Sequence, residues 1–124
     1  MAGADSLENI KDRDSRENIQ KLANEFVKKV KPLKIMLFGS FAKGSDTDES
    51  DYDFYIVVDD NRNVAEATRE AYKASVHIKN RPVDIVVGTN SRFERKRHAS
   101  YSQMVEREVE EYGILLYNRS EAVV

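Results

Sequence analysis

A chain of 124 residues with a net charge of −2 and no cysteine has the length of one ordinary domain, and it excludes disulfides and thiolate metal sites. The near balance of charge leaves no overall basic field to hold nucleic acid. No apolar run approaches ~18 residues and the N-terminus is polar, so neither a membrane span nor a signal peptide is expected, and the cytoplasm is the expected location.

The first dozen residues are polar, with Leu7 and Ile10 able to add one helical turn. Asp14 followed by Glu17 suits a capping box. Ile19, Leu22, Ala23, Phe26, Val27 and Val30 then follow helical spacing, and Pro32 bars continuation. This helix is expected to cover one side of a sheet. Ile35–Phe38 is a short apolar run, read as a buried strand that stops at Gly39-Ser40. A polar loop with Lys43, Gly44 and several acids follows, and Asp51 and Asp53 open a second strand over Phe54–Val58.

Residues two apart on a strand share a face, roughly 6 to 7 Å apart, so the two carboxylates are expected side by side, facing the Gly39-Ser40 turn. Asn63 with Glu66 caps a helix expected to run to about Ile78. Pro82 restricts Arg81 to extended geometry, and Val83–Val87 reads as a third strand bounded by Gly88. Ser91 and Glu94 suggest another cap. Phe93, His98, Tyr101, Met104, Val105, Glu108 and Tyr112 fall near one face of what reads as a long final helix, with Gly113 placed as a left-handed C-cap. Ile114–Tyr117 is a closing strand or a packed extension. The fold class expected is α+β: a small, mixed, twisted sheet with helices packed mainly on one face. Residues 1–124 form a single domain in this reading, with an ordered core over about 15–117.

Backbone N–H groups and a hydroxyl in a turn suit phosphate, and adjacent carboxylates offer hard oxygens to Mg²⁺. Gly39-Ser40, Lys43-Gly44 and Ser50-Asp51-Tyr52-Asp53, joined to Asp84 in Pro82-Val83-Asp84-Ile85-Val86-Val87, resemble the signature of the DNA polymerase beta-like nucleotidyltransferase superfamily, and most closely its minimal nucleotidyltransferases. The family often carries Arg where Lys43 stands, so a bidentate fork becomes a point charge here.

The resemblance implies the nucleotidyltransferase fold, with a short helix after Gly39-Ser40 whose N-terminus points at phosphate. It also implies catalytic and metal-binding roles for Asp51, Asp53 and Asp84, nucleotide contacts by Gly39, Ser40, Lys43 and Gly44, and two Mg²⁺ ions (or Mn²⁺) with ATP as substrate. AMP, or another nucleoside monophosphate, would pass to a hydroxyl. The acceptor that the family suggests is a tyrosine of a cognate HEPN ribonuclease toxin, which this protein would silence as an antitoxin.

Two other readings stand beside it: a binding-only antitoxin or regulatory subunit, and a transferase acting on a small molecule or an RNA end. Gly39-x-x-x-x-Gly44 imitates half of a P-loop, but Ser45 stands where Lys is required. Asp46-x-Asp48-x-Ser50 imitates an EF-hand, but Asp51 occupies the glycine position and Val57 that of the bidentate Glu. Asp46, Asp48 and Glu49 therefore read as a solvated loop edge. His77 and His98 read as surface or half-buried helix residues. Arg92, Arg95, Lys96 and Arg97 read as a solvated basic face, or else as an acceptor- or partner-binding one.

Overall fold

The computed structural model describes residues 7–98 and 104–122. A 3₁₀ turn at Leu7–Asn9 leads into α1 (Arg13–Val30). Then come β1 (Lys34–Phe38), α2 (Gly39–Lys43), β2 (Tyr52–Val58), α3 (Val64–Ala74), β3 (Val83–Thr89), α4 (Asn90–Lys96), α5 (Val105–Tyr112), β4 (Ile114–Asn118) and the short α6 (Arg119–Ala122). The strands form one sheet in the order β3-β2-β1-β4. β1 is antiparallel to β2 and β4, and β2 is parallel to β3. This is the expected α+β class with a mixed sheet. No helix among the described residues is long and apolar enough to cross a membrane.

β2 is the centre. Its residues from Phe54 to Val58 are all buried, as a continuous apolar run in a strand covered on both faces should be. Alternation along the strands sorts the side chains into two layers. Ile35, Leu37, Tyr52, Phe54, Ile56, Val58, Ile85 and Val87 point to the larger layer, under the long helices α1 and α3. There the ring of Phe26 on α1 meets Phe54 edge to face, 5.1 Å between centroids. Small residues Ala67, Ala71 and Ala74 on one face of α3 let that helix lie against both α1 and β3. Each large side chain fully buried here stabilises the fold by about 1.5–3 kcal/mol. The opposite layer is smaller. Met36, Tyr55 and Val57 pack there against Phe93 of α4 and Val109 of α5.

In this smaller layer lies a buried charge. Glu106 of α5 is fully buried, and its Oε2 accepts from the Tyr55 hydroxyl at 2.7 Å and from Arg92 Nε at 3.1 Å. Burial pushes Glu106 up, but the hydrogen bonds from Tyr55, its own backbone and Arg92 outweigh it and hold the carboxyl below its usual range. Its second oxygen has no partner. Gly88 makes the arrangement possible, because a Cβ there would lie 2.1 Å from the Tyr55 hydroxyl.

Several boundaries differ from those expected. α1 starts at Arg13 with Asp12, not Asp14, at the N-cap; the Asp12 carboxylate accepts from the Ser15 hydroxyl at 2.6 Å, while Glu17 pairs with Arg13. α3 ends at Ala74 instead of running to Ile78, since the chain turns at Ser75 and leaves Val76 66% exposed. β3 does not stop before Gly88, because parallel pairing with Val57 and Val58 carries it through to Thr89. The cap of α4 is then Thr89, whose hydroxyl accepts from Arg92 N, not Ser91.

The long final helix is two helices, α4 and α5, and Phe93 and Val109 reach the same layer from separate elements. Tyr101 lies outside the described residues. Gly113 is extended, with φ −67°, not left-handed. Glycine is needed there because a Cβ would lie 2.5 Å from the Val109 carbonyl oxygen. On the outer edge of the sheet, the Tyr72 hydroxyl accepts from Ile85 N at 3.0 Å and donates to Ile85 O at 3.4 Å.

Tyr55→Phe removes one donor from the buried Glu106 carboxylate and should destabilise the protein by about 1–3 kcal/mol. Urea unfolding should show a lower midpoint at unchanged slope.

Candidate active site

Strand parity places the acids. Asp53 is paired with Phe38 across β1–β2 and with Asp84 across β2–β3. Asp53 and Asp84 therefore share the face that carries Tyr55 and Val86, and Asp51 lies two residues before Asp53 at the mouth of β2. Tyr52, between them, points the other way and is fully buried, its hydroxyl among Ser15, Asn18 and Asn80. Carboxylate oxygens of Asp51, Asp53 and Asp84 lie within 4.8 Å of one another. Asp51 and Asp53 are half-buried. Asp84 is exposed, although its strand neighbours Val83, Ile85, Val86 and Val87 are apolar.

Crowding shifts their proton affinity. Asp53 is pushed up to about 6, first by burial and then by the charges of Asp84, Asp51 and Glu108. Asp84 is also raised, by partial loss of water from its carboxyl and then by its contact with Asp51.

The Gly39 turn is built against this cluster. The chain leaves β1 and enters α2 through Gly39 at φ +76°, and a Cβ at that position would lie 2.1 Å from Asp53 Oδ2. Handedness and space both demand glycine. Ser40 follows in the first turn of α2. Lys43 ends that helix beside α5, with Nζ 3.6 Å from Glu108 Oε2 and 5.3 Å from the centroid of the Tyr112 ring. Gly44 closes α2 in the left-handed conformation, φ +77°. It shapes the turn from the end away from the acids.

Two further residues shape the site without a local sequence signal. Arg81 is largely buried, and its Nη1 donates to the carbonyls of Thr47 and Ser50, each at 2.9 Å. Its guanidinium lies 5.0 Å from the Phe41 ring centroid and 6.0 Å from that of Tyr52. It thus pins the loop that delivers Asp51. Glu108 accepts from Gly39 N at 3.1 Å. The residues set aside as a solvated edge stay outside the acid cluster: Asp48 and Glu49 are exposed and Asp46 is half-buried. His77 and His98 are exposed. In the basic stretch, Arg92 pairs with Glu106, and Arg97 with Glu94 and Glu110.

A parallel β2–β3 pair thus brings three carboxylates together beside a Gly-Ser turn at the end of β1, a set of hard oxygens able to hold a divalent cation. Residues 19–116 match the nucleotidyltransferase domain family, and the chain belongs to that family. No curated protein matches the sequence. Among solved structures, the fold is similar to that of a protein from Sulfolobus solfataricus assigned as a nucleotidyltransferase, with 22% identity, TM-score 0.57, and coverage of 92% of this chain and 96% of that one. It is also similar to a chain of a toxin–antitoxin complex solved with AMP-PNP, with 24% identity, TM-score 0.54, and coverage of 82% and 72%.

Three measurements probe the site. Asp53 binds its proton more tightly in the folded chain than in the unfolded one, so without metal its contribution to stability is greatest below about pH 4. That contribution is lost as pH rises through about 6; the loss is about 1–2 kcal/mol, reduced from the full shift because water reaches the site. Asp53→Asn should therefore raise the melting temperature of the metal-free protein at pH 7. Added Mg²⁺ or Mn²⁺ should stabilise the wild type strongly at pH 8 and little at pH 5, where protons compete. Gly39→Ala should cost about 1–2 kcal/mol for the left-handed backbone alone, plus the displacement of Asp53, and a thermal melt should show a large drop.

Proposed function

We propose that the protein transfers a nucleoside monophosphate, AMP from ATP, to a hydroxyl acceptor on a partner protein. The observation that carries this reading is the close approach of the Gly39 turn to Asp53, whose carboxylate clusters with those of Asp51 and Asp84. A phosphate-binding backbone and a cation-binding set of hard oxygens meet at one point. The donor set suits Mg²⁺ or Mn²⁺: three carboxylates, no nitrogen or sulfur, on a site open to water. Asp51, Asp53 and Asp84 would hold one or two such ions, which when bound neutralise phosphate charge and acidify a nearby hydroxyl.

The chain's own groups do the rest. Gly39 N–H and the Ser40 hydroxyl hold phosphate oxygens, and Lys43 offsets charge on the departing pyrophosphate. Arg81 fixes the loop so that Asp51 stays in register with Asp53. Asp84, the most exposed of the three, stands where an acceptor hydroxyl would enter and takes up its proton. The hydroxyl oxygen bonds to the α-phosphorus as the bond to the pyrophosphate oxygen breaks.

The acceptor we propose is a tyrosine of a HEPN-like ribonuclease toxin, so that the protein acts as its antitoxin. The similarity to a chain of a toxin–antitoxin complex solved with AMP-PNP supports a toxin as the partner. Added phosphate charge on the toxin would repel RNA. Positioning the acceptor in line supplies much of the rate in such chemistry, so the protein should be poorly active without its partner. After co-expression, intact-mass measurement of the toxin should show one or more added AMP units with the wild type and none with Asp51→Asn/Asp53→Asn. Asp84→Asn should reduce transfer by at least about a hundredfold while leaving the fold intact. Equal neutralisation by both proteins with no added mass would instead identify a binding-only antitoxin.

A further inference from the structure

Glu108 lies where the nucleotide reading puts phosphate. Its Oε2 accepts from Gly39 N at 3.1 Å, and the same oxygen is 3.6 Å from Lys43 Nζ. A carboxylate oxygen and a phosphate oxygen are equivalent to such a site, an N–H donor with a cation beside it: each is an anionic acceptor. The acid cluster does not draw Glu108 there. It is one of the negative charges facing Asp53, and it acts to raise that residue's proton affinity.

Two things hold Glu108 in place. One is the Gly39 N–H hydrogen bond together with the Lys43 charge. The other is the anchorage of α5, which is tied to the sheet two residues earlier by the buried Glu106 and one residue later by the buried Val109. The side chain itself is 31% exposed, so a change of rotamer can carry the carboxylate into water while the helix stays put.

We infer that Glu108 is an internal stand-in for the nucleotide's phosphate: it occupies the Gly39–Lys43 anion site in the nucleotide-free protein and must be expelled for a triphosphate to bind. This rests on the proposed nucleotide site and adds to it a residue that sets affinity. The states with Glu108 seated are closed to the ligand, so the apparent dissociation constant is raised by the inverse of the fraction in which it is out. Holding the anion site filled also spares the folded protein an unpaired amide beside three carboxylates.

The test is calorimetric titration of ATP, GTP and inorganic tripolyphosphate, each with Mg²⁺, into wild type, Glu108→Gln, Glu108→Ala and Glu111→Gln. Glu108→Gln keeps the shape and loses the charge, Glu108→Ala loses both, and Glu111 is an exposed acid of the same helix that serves as a control for general charge. Both Glu108 variants should bind all three ligands about tenfold tighter than wild type, the factor expected if the site is open about a tenth of the time. Glu111→Gln should stay within about twofold. Thermal melts confirm folding of each variant.

Unchanged or weaker binding by both folded Glu108 variants overturns the inference, and weaker binding would make Glu108 a ligand of the cation. An equal gain with Glu111→Gln overturns it too, because general repulsion would then suffice. In either case the nucleotide reading stands if wild type binds and Asp51→Asn/Asp53→Asn does not. Binding of no ligand by any of the proteins overturns both.

Discussion

The constraint on which the site depends is repulsion. Three carboxylates converge, and a fourth acid, Glu108, faces one of them. Such a cluster is unfavourable without cations or protons, and the fold holds it together by means that have nothing to do with the acids' own preferences. Parallel pairing of β2 with β3 fixes Asp53 opposite Asp84. The apolar run of β2, buried on both faces, makes a one-residue slip prohibitive, because every side chain would change layers. Arg81 then binds the loop carbonyls that precede Asp51. The core thus sustains the electrostatic strain of the site, a common arrangement where a protein must receive a polyvalent ligand.

Much of this was legible in the sequence. The strand parity of Asp51 and Asp53, the opposite facing of Tyr52 between them and the turn at Gly39-Ser40 are short-range properties of the sequence. The side to which Asp84 points follows from the same strand parity once the strand is found. Its exposure does not follow, since position along a strand decides that, and Asp84 sits near the start of β3, at the mouth of the site. The features that escaped are those fixed by particular contacts in the folded chain and not by residue type or spacing alone. Gly113 reads as a helix stop, but its reason is the neighbouring carbonyl of Val109. Gly88 reads as a strand boundary, but parallel pairing carries the strand through it, and it is glycine because the Tyr55 hydroxyl needs the space. The split between α4 and α5 is hidden because residues of both helices, Phe93, Val105, Glu108 and Tyr112 among them, fall near one face of a continuous helical repeat.

The same limit hid Glu108, Arg81 and the Tyr55–Glu106–Arg92 group. Glu and Arg on a charged helix or in a loop are most often solvated, and no local pattern marks the few that are not. Their partners lie on other elements, and only the assembled fold reveals them. Glu106 is the clearest case. An acid in an amphipathic segment rich in Glu would be placed in water, whereas here it is the residue that joins α5 to the sheet.

The hydroxyl of Tyr72 has a consequence of another kind. β3 is an edge strand, and edges are templates onto which another chain can add a strand. By taking both the N–H and the carbonyl of Ile85, Tyr72 occupies the hydrogen-bonding groups in the middle of that edge with a side chain of its own molecule. An incoming strand finds the ladder interrupted, so recognition by sheet extension is disfavoured along β3.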